Sequence, residues 1–304
     1  MATAPESLAP EVVAEEEPRV SRPGLAAAYM LFACLLFTFM ALFVKRATRD
    51  VSFLEAAAGR AGFGALTIFA MARARGVSLR VSDRGLQWRR TLAGTVSMCC
   101  GFYALSRLPL GDAVTIGNLT PLLLAVLSPI LLGERSGSSV WGAVVLGLLG
   151  VGLLAGVHLA HPAGLWLGVL AGIGGAFFSS LAMAYLRRLG KKESPEGVSL
   201  HFAAWGALLT FVASLPGFRV PTPTALLALV GAGLFGGFAQ VAMTRAYSLD
   251  EAARVSAIGY SGVVFSQAIG VVVLHEMPTG RQLVGAALVV GSGVLLALSG
   301  QRKR

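Results

Sequence analysis

The chain is 304 residues long, 55% hydrophobic and only 13% charged, with a mean hydropathy of +0.73 and a net charge of +10. A soluble domain carries about 25% charged residues, and the alternating ten-residue segments of a transmembrane barrel are absent, so an all-α integral membrane protein remains. The basic excess lies in short loops between apolar runs, which argues against a nucleic-acid footprint.

Residues 1–23 are rich in Glu, Pro, Ala and Val, with neither the basic start nor the apolar core of a secretory signal, and are expected to be a disordered cytoplasmic tail. A bilayer core about 30 Å thick takes about 20 apolar residues per helix. Apolar runs bounded by charge or by Gly and Pro clusters predict helices at about 24–44, 53–72, 91–106, 112–132, 138–157, 164–186, 197–215, 223–246, 253–274 and 280–299. Cys34, Cys99 and Cys100 fall inside these runs without disulfide spacing and read as small buried hydrophobes.

The two halves repeat at a constant offset of 142 residues: Lys45-Arg46 lies over Arg187-Arg188, Ala104 over Ala246, Ser106 over Ser248, Ile116-Gly117 over Ile258-Gly259, and Glu134 over Glu276. Each copy, residues 24–157 and 164–299, holds five predicted spans. An odd number forces the second copy to enter the membrane from the opposite side. The expected architecture is therefore ten transmembrane helices in two inverted-topology five-helix repeats, a build in which transporters place their substrate site between the halves near mid-membrane.

With the amino terminus cytoplasmic, eighteen of the 25 Lys and Arg residues fall in cytoplasmic segments and six outside, while Arg60 lies within a span. By the positive-inside rule, both termini are expected in the cytoplasm of a bacterial-type inner membrane. The GxxxG at Gly152–Gly156 and the glycine clusters at 172–175 and 231–237 predict close helix packing within the monomer, and such smooth faces could also serve a homodimer.

Polar groups inside spans are costly in lipid, so the few present are the candidate cargo contacts. In the fourth span Asn118 and Thr120 adjoin Pro121, which removes a backbone hydrogen bond and kinks the helix. Tyr260 and Ser261 hold the corresponding place in the ninth span, and Asn118 and Tyr260 are repeat mates following equivalent glycines. Asn118 has the alternative of bonding a neighbouring helix, as have Gln240 and Gln267. Thr38 and its mates Ser179 and Ser180 either face the cavity or bond their own backbone. Tyr103, Tyr185 and Tyr247, near helix ends, read as interfacial anchors.

Arg60 sits about 10 Å down the second span, placed to neutralise an anionic cargo, to snorkel outward, or to pair with Asp112 or Glu55 in a structural role. Glu134 and Glu276 read as helix-end residues that pair with a loop Arg or cap neighbouring amides. No Asp or Glu falls at mid-span, so the usual proton-relay carboxylate is missing.

The stretch YALSRLPLGDAVTIGNLTPLLLAVLSPILLGERSGSSVWGAVVLGLLGVGLLAG (103–156) resembles the EamA-type repeat of the drug/metabolite transporter superfamily, and residues 245–297 resemble it again. The resemblance rests on Ala104 and Ala246, Pro121 with Val263 in its place, Glu134 and Glu276, and a Gly-rich closing helix in each half. The second half departs in Val263 and in His275, which stands where the first has Gly133. The resemblance covers about residues 24–299 and implies ten helices, with spans 1, 3, 4, 6, 8 and 9 lining a central cavity. Family members move amino acids, nucleotide derivatives, sugars and other metabolites, often outward.

The expected function is a secondary transporter that moves a small metabolite, an amino acid or related polar solute, outward across the inner membrane by alternating access. Its partners are that small molecule and the lipid bilayer, with no nucleic acid, cofactor or catalytic residue expected. A passive channel or facilitator, which would ordinarily show charged pore rings, is one alternative. An intramembrane enzyme is the other, against which stands the lack of a metal-spaced His set or nucleophile motif; His158 and His161 share a loop at i, i+3 but read as solvated.

Overall fold

A computed structural model describes residues 22–132, 138–159, 165–189, 193–249, 255 and 258–301. The tail (1–21), Glu134, His161 and the side chains of His158 and Tyr247 lie outside the described residues. The chain builds α1 (Pro23–Ala47), α2 (Phe53–Arg75), α3 (Arg84–Arg107), α4 (Leu110–Gly117), α5 (Thr120–Leu132), α6 (Ser138–Leu159), α7 (Leu165–Leu189), α8 (Pro195–Ser214), α9 (Pro223–Leu249), α10 (Ser261–Leu274) and α11 (Gly280–Gln301). Among the described residues there is no strand.

Local chemistry sets the helix limits. Ser52 and Glu55 form a reciprocal capping box at the start of α2, with Glu55 N–H to Ser52 Oγ at 3.2 Å and Ser52 N–H to Glu55 Oε2 at 2.7 Å. The helix ends on Gly76, whose φ of +63° suits a residue without Cβ. Asp83 accepts the Leu86 N–H at 2.9 Å and so starts α3 at Arg84, seven residues before the predicted 91. That cap moves Arg90 from a predicted loop into the third span, where it is 6% exposed.

The fourth span is two helices rather than the continuous predicted run 112–132. α4 closes at Gly117, Asn118 and Leu119 form a turn, and α5 begins at Thr120. Pro121 has no N–H for the Gly117 carbonyl four residues back; the Thr120 hydroxyl donates to that carbonyl instead, at 2.8 Å. The second half breaks at the mate position without a proline. Ile258 and Gly259 are helical, Tyr260 is a turn, and α10 starts at Ser261, partway along the predicted 253–274 run.

The principal helix pairs are α1 with α9, α3 with α7, α2 with α8 and α6 with α11, with α4 against α10. Every one joins the first repeat to the second. Counted as spans these are 1·8, 3·6, 2·7, 5·10 and 4·9, a set that maps onto itself when the two halves are exchanged. That is the signature of a pseudo-two-fold axis in the membrane plane, and the fold is ten transmembrane helices in two inverted five-helix repeats. Among the described residues five segments are long and apolar enough to cross a membrane alone, Pro23–Ala47, Leu110–Leu127, Leu165–Leu186, Glu196–Gly217 and Pro223–Ala246. The apolar stretches Trp141–Leu154, Ser261–Leu274 and Gly280–Leu295 are shorter. α2 and α3 carry Arg60 and Arg90 across the bilayer, which lowers their hydropathy.

Glycines set the closest approaches. A Cβ on Gly150 of α6 would lie 2.7 Å from the Gly285 carbonyl, and one on Gly285 would lie 2.7 Å from the Gly150 carbonyl, so α6 and α11 cross backbone to backbone. Gly172 meets Ile116, Gly175 meets Cys100, and Gly231, Gly233 and Gly237 meet Phe43, Phe63 and Thr67. These faces are occupied within one chain. The outer surface carries Leu66, Leu148, Leu149, Leu227, Val264 and Val272, each at least half exposed, as a lipid-facing belt requires.

Candidate transport cavity

Between the repeats lies a cavity of about 440 Å³, within the 300–1,000 Å³ typical of small-molecule sites. Its walls come from α1 (Met30, Cys34, Phe37, Thr38, Met40 and Ala41), α3 (Met98, Gly101, Phe102 and Leu105), the broken fourth span (Ala113, Val114, Gly117, Asn118, Thr120 and Pro121), α7 (Ser179 and Met183), α9 (Met243), and Gly259 with Gly262 of the ninth span. These are spans 1, 3, 4, 6, 8 and 9, the set that the resemblance implies.

The lining is mainly apolar and sulfur-rich: five of the chain's eight methionines border it. Unbranched, polarisable thioethers fill irregular space and re-pack around different ligands. Polar groups are few and partly committed. Asn118 Nδ2 donates to the Val114 carbonyl at 2.9 Å, a bond in which Oδ1 takes no part. Thr38 donates to its own helix at the Cys34 carbonyl, 2.8 Å away. The Thr120 hydroxyl is held by the Gly117 carbonyl as described. No Asp, Glu, Lys, Arg or His borders the cavity among the described residues.

Of the residues singled out in the sequence, Asn118, Thr120, Pro121 and Thr38 meet at this cavity. Ser179 borders it in place of Ser180, which is fully buried and donates to the Phe177 carbonyl at 2.6 Å. Tyr260 does not join Asn118 there. Its ring, 2% exposed, packs on Gly293 of α11 so closely that no Cβ would fit. Ser261 sits beside the Cys34 thiol. Gln267 fills the space left by Gly111 of α4, an interhelical position, and Gln240 is buried in α9 outside the lining.

Arg60 pairs with neither Glu55 nor Asp112. Glu55 accepts the Ser52 and Arg219 N–H groups, each at 2.7 Å, and Asp112 accepts Gln282 Nε2 at 2.5 Å. Arg60 instead directs Nη1 at the Met98 sulfur, 3.7 Å away, and so stands one side chain behind the cavity wall. Sequence reasoning missed the methionine lining, the place of Cys34 in the cavity wall, and Arg90 within the third span. The Asp83 cap was the available signal for Arg90; the methionines carry no pattern that separates a cavity wall from a packed core.

The cavity is closed at the end where α1 finishes. Val44, Leu108 and Leu110 are at most 1% exposed there. Glu276 follows His275, whose left-handed φ of 55° turns the chain at the end of α10. Its carboxylate accepts the Leu110 N–H at the start of α4 at 2.7 Å and meets the Lys45 ammonium at 3.0 Å. Lys45 also donates to the Leu105 and Leu108 carbonyls at the end of α3. A carboxylate at a helix N-terminus and an ammonium at a helix C-terminus both complement the helix dipoles, and the cluster ties the two repeats together across the closed end.

The family model described as "EamA-like transporter family" matches residues 24–156 and again 166–298. The chain is 26% identical over 271 residues to the pseudopaline exporter CntI of Pseudomonas aeruginosa, covering 88% of this chain and 94% of that protein. It is 27% identical over 307 residues to human solute carrier family 35 member G1, covering 93% and 82%. Against the riboflavin transporter of Vibrio cholerae it is 24% identical over 220 residues, covering 70% and 71%. A crystal structure 24% identical in sequence superposes with a TM-score of 0.69 over 93% of this chain and all of that one, a likeness of fold. With the family pattern present twice on a multi-pass helical fold around a closed-ended cavity, the chain belongs to the EamA-like transporter family.

Proposed function

We propose that the protein exports a small amphipathic metabolite across a bacterial inner membrane by alternating access, with both termini in the cytoplasm. The observation that carries this reading is the cavity at the seam of the repeats, where the fourth spans of both halves break at mate positions. Discontinuous helices at a repeat interface are where carriers of this build hold substrate. Export is favoured by the relative named for that activity. The state described, sealed at the Lys45–Glu276 end, corresponds to a cavity facing the cytoplasm.

The lining narrows the cargo. Five thioethers and two phenyl rings favour an apolar or aromatic body, and Asn118 Oδ1 favours a hydrogen-bond donor such as an amide or ammonium. An amino acid or derivative with an apolar side chain fits this chemistry better than a sugar, whose many hydroxyls would lack partners. With no carboxylate at the cavity among the described residues, solute exchange or facilitated diffusion accounts for turnover more simply than a proton relay does.

The test is a comparison of metabolites inside and outside cells with and without overexpression, followed by transport of the candidate in proteoliposomes. A solute that accumulates outside, and whose transport falls when Asn118 is replaced by Ala, is the expected result. Unchanged metabolite pools, or full transport by the folded Asn118→Ala protein, would overturn the cargo and site assignment.

A further inference from the structure

Beside the cavity, α2, α3 and α8 bury two arginines within the helix bundle, with no carboxylate paired to either among the described residues. Among the described residues the ion pairs are Lys45–Glu276 and Arg75–Glu196, and neither reaches Arg60 or Arg90. Arg60 is 9% exposed and Arg90 6%. The Arg90 guanidinium lies 3.9 Å over the Phe202 ring, a favourable cation–π contact that satisfies a face of the ion and none of its N–H groups. Its Nη1 is 3.4 Å from the place a Cβ on Gly94 would take, so the side chain runs along α3 toward the next turn through space that this glycine leaves open.

Unpartnered buried donors gather here, apart from those at Ser261 and Gln267 on the ninth span. Arg60 Nε, Arg90 Nε and Arg90 Nη1 are buried donors with no partner, and so is the Thr95 hydroxyl on the next turn of α3. Thr95 is unlike its counterparts. Thr38, Thr67, Thr115 and Thr210 each donate to the carbonyl four residues back, the usual resting place of a helical hydroxyl. A Cβ on Gly206 of α8 would lie 3.3 Å from the Thr95 hydroxyl and 3.8 Å from the methyl of Met98, the residue Arg60 touches, so Thr95 stands between the two guanidinium groups. Orphaned donors gathered in this way are the arrangement that a bound anion would complete.

We propose that Arg60, Arg90 and Thr95 form an anion site that takes one small singly charged anion. Arginine keeps its charge at any accessible pH, so the site is permanently cationic. At the start of α3 lies a separate vestibule of about 680 Å³ bordered by Arg80, Arg84, Gln87, Thr91 and His201, though not by the three site residues themselves. Gln87 and Thr91 flank Arg90 on α3, and basic side chains at the mouth raise the local anion concentration. On the inner side Arg60 touches Met98 of the transport cavity, so the occupant is either a free inorganic anion or the carboxylate of a solute. The site itself does not depend on which solute the cavity carries.

The test is thermal unfolding of the purified full-length protein in detergent, titrated with chloride, bromide, formate or acetate at constant ionic strength against sodium isethionate. The expected result is a saturable rise in unfolding temperature, since a ligand that binds only the folded state stabilises it, with apparent affinity at least tenfold weaker in Arg90→Gln and Arg60→Gln. Stabilisation by halides as well as formate identifies a general small-anion site, and stabilisation by formate and acetate alone identifies a carboxylate subsite. If the arginine variants fail to fold, Thr95→Val supplies the weakened affinity, and anomalous scattering from bromide-soaked crystals locates the ion. No anion effect in the parent protein, or equal effects in all the variants, would overturn the proposal.

Discussion

Lys45 on α1 and Glu276 after α10 meet at 3.0 Å across the repeat seam, and each also bonds backbone at the end of a third helix. Both are only partly screened, with side chains 16% and 23% exposed. Breaking such a charge-assisted cluster costs about 2 kcal/mol, enough to shift a two-state equilibrium by roughly thirtyfold.

Lys45→Met and Glu276→Gln are therefore expected to favour opening at that end. A cysteine introduced at Ala41 on a background lacking the three native cysteines should react with an impermeant maleimide from that face faster than in the parent. Equal labelling rates would show that packing of Val44, Leu108 and Leu110 holds the seal alone.

The fourth-span break depends on Pro121 and Thr120. In Pro121→Ala an N–H becomes available to the Gly117 carbonyl, and the helix can run straight. Stability is expected to hold or rise while transport falls by tenfold or more, as measured by unfolding temperature and by flux through reconstituted protein. Thr120→Val, which strands the carbonyl, is expected to cost about 1–3 kcal/mol of stability instead.

Asn118 and Tyr260 are expected to separate cleanly. Asn118→Ala should reduce transport roughly tenfold or more with little change in unfolding temperature. Tyr260→Ala should remove a buried ring from Gly293, costing about 3–5 kcal/mol, and appear as low yield and a lower unfolding temperature, with flux per folded molecule preserved. The reverse pattern would move the cargo contact to Tyr260.

Gly150 and Gly285 admit no side chain. Gly285→Val should force α6 and α11 apart and destabilise by about 1–3 kcal/mol. By contrast Gly152→Ala should be neutral, because nothing lies within 4 Å of that position. Unfolding in sodium dodecyl sulfate measures both.

The ten spans, their inversion and the family were legible because lipid imposes length, hydropathy and an odd span count on each repeat, and these survive in composition and in a 142-residue offset. The cavity was half legible. Asn118 and Pro121 stand out because a polar group and a proline are expensive in lipid. Tyr260 and its mate Asn118 take different places for a physical reason: the large ring finds room over Gly293, whereas the smaller amide bonds its own helix at Val114. Arg90 escaped because a basic cluster at a span edge looks like a loop until the Asp83 cap is recognised.

Thioether walls also make the carrier chemically perishable. Oxidation of Met30, Met98, Met183 or Met243 to the sulfoxide would plant a polar, hydrated group where an apolar body should rest. Under peroxide stress the passage should clog without any loss of fold, and methionine sulfoxide reductases, where they can reach these side chains, would decide how quickly it clears.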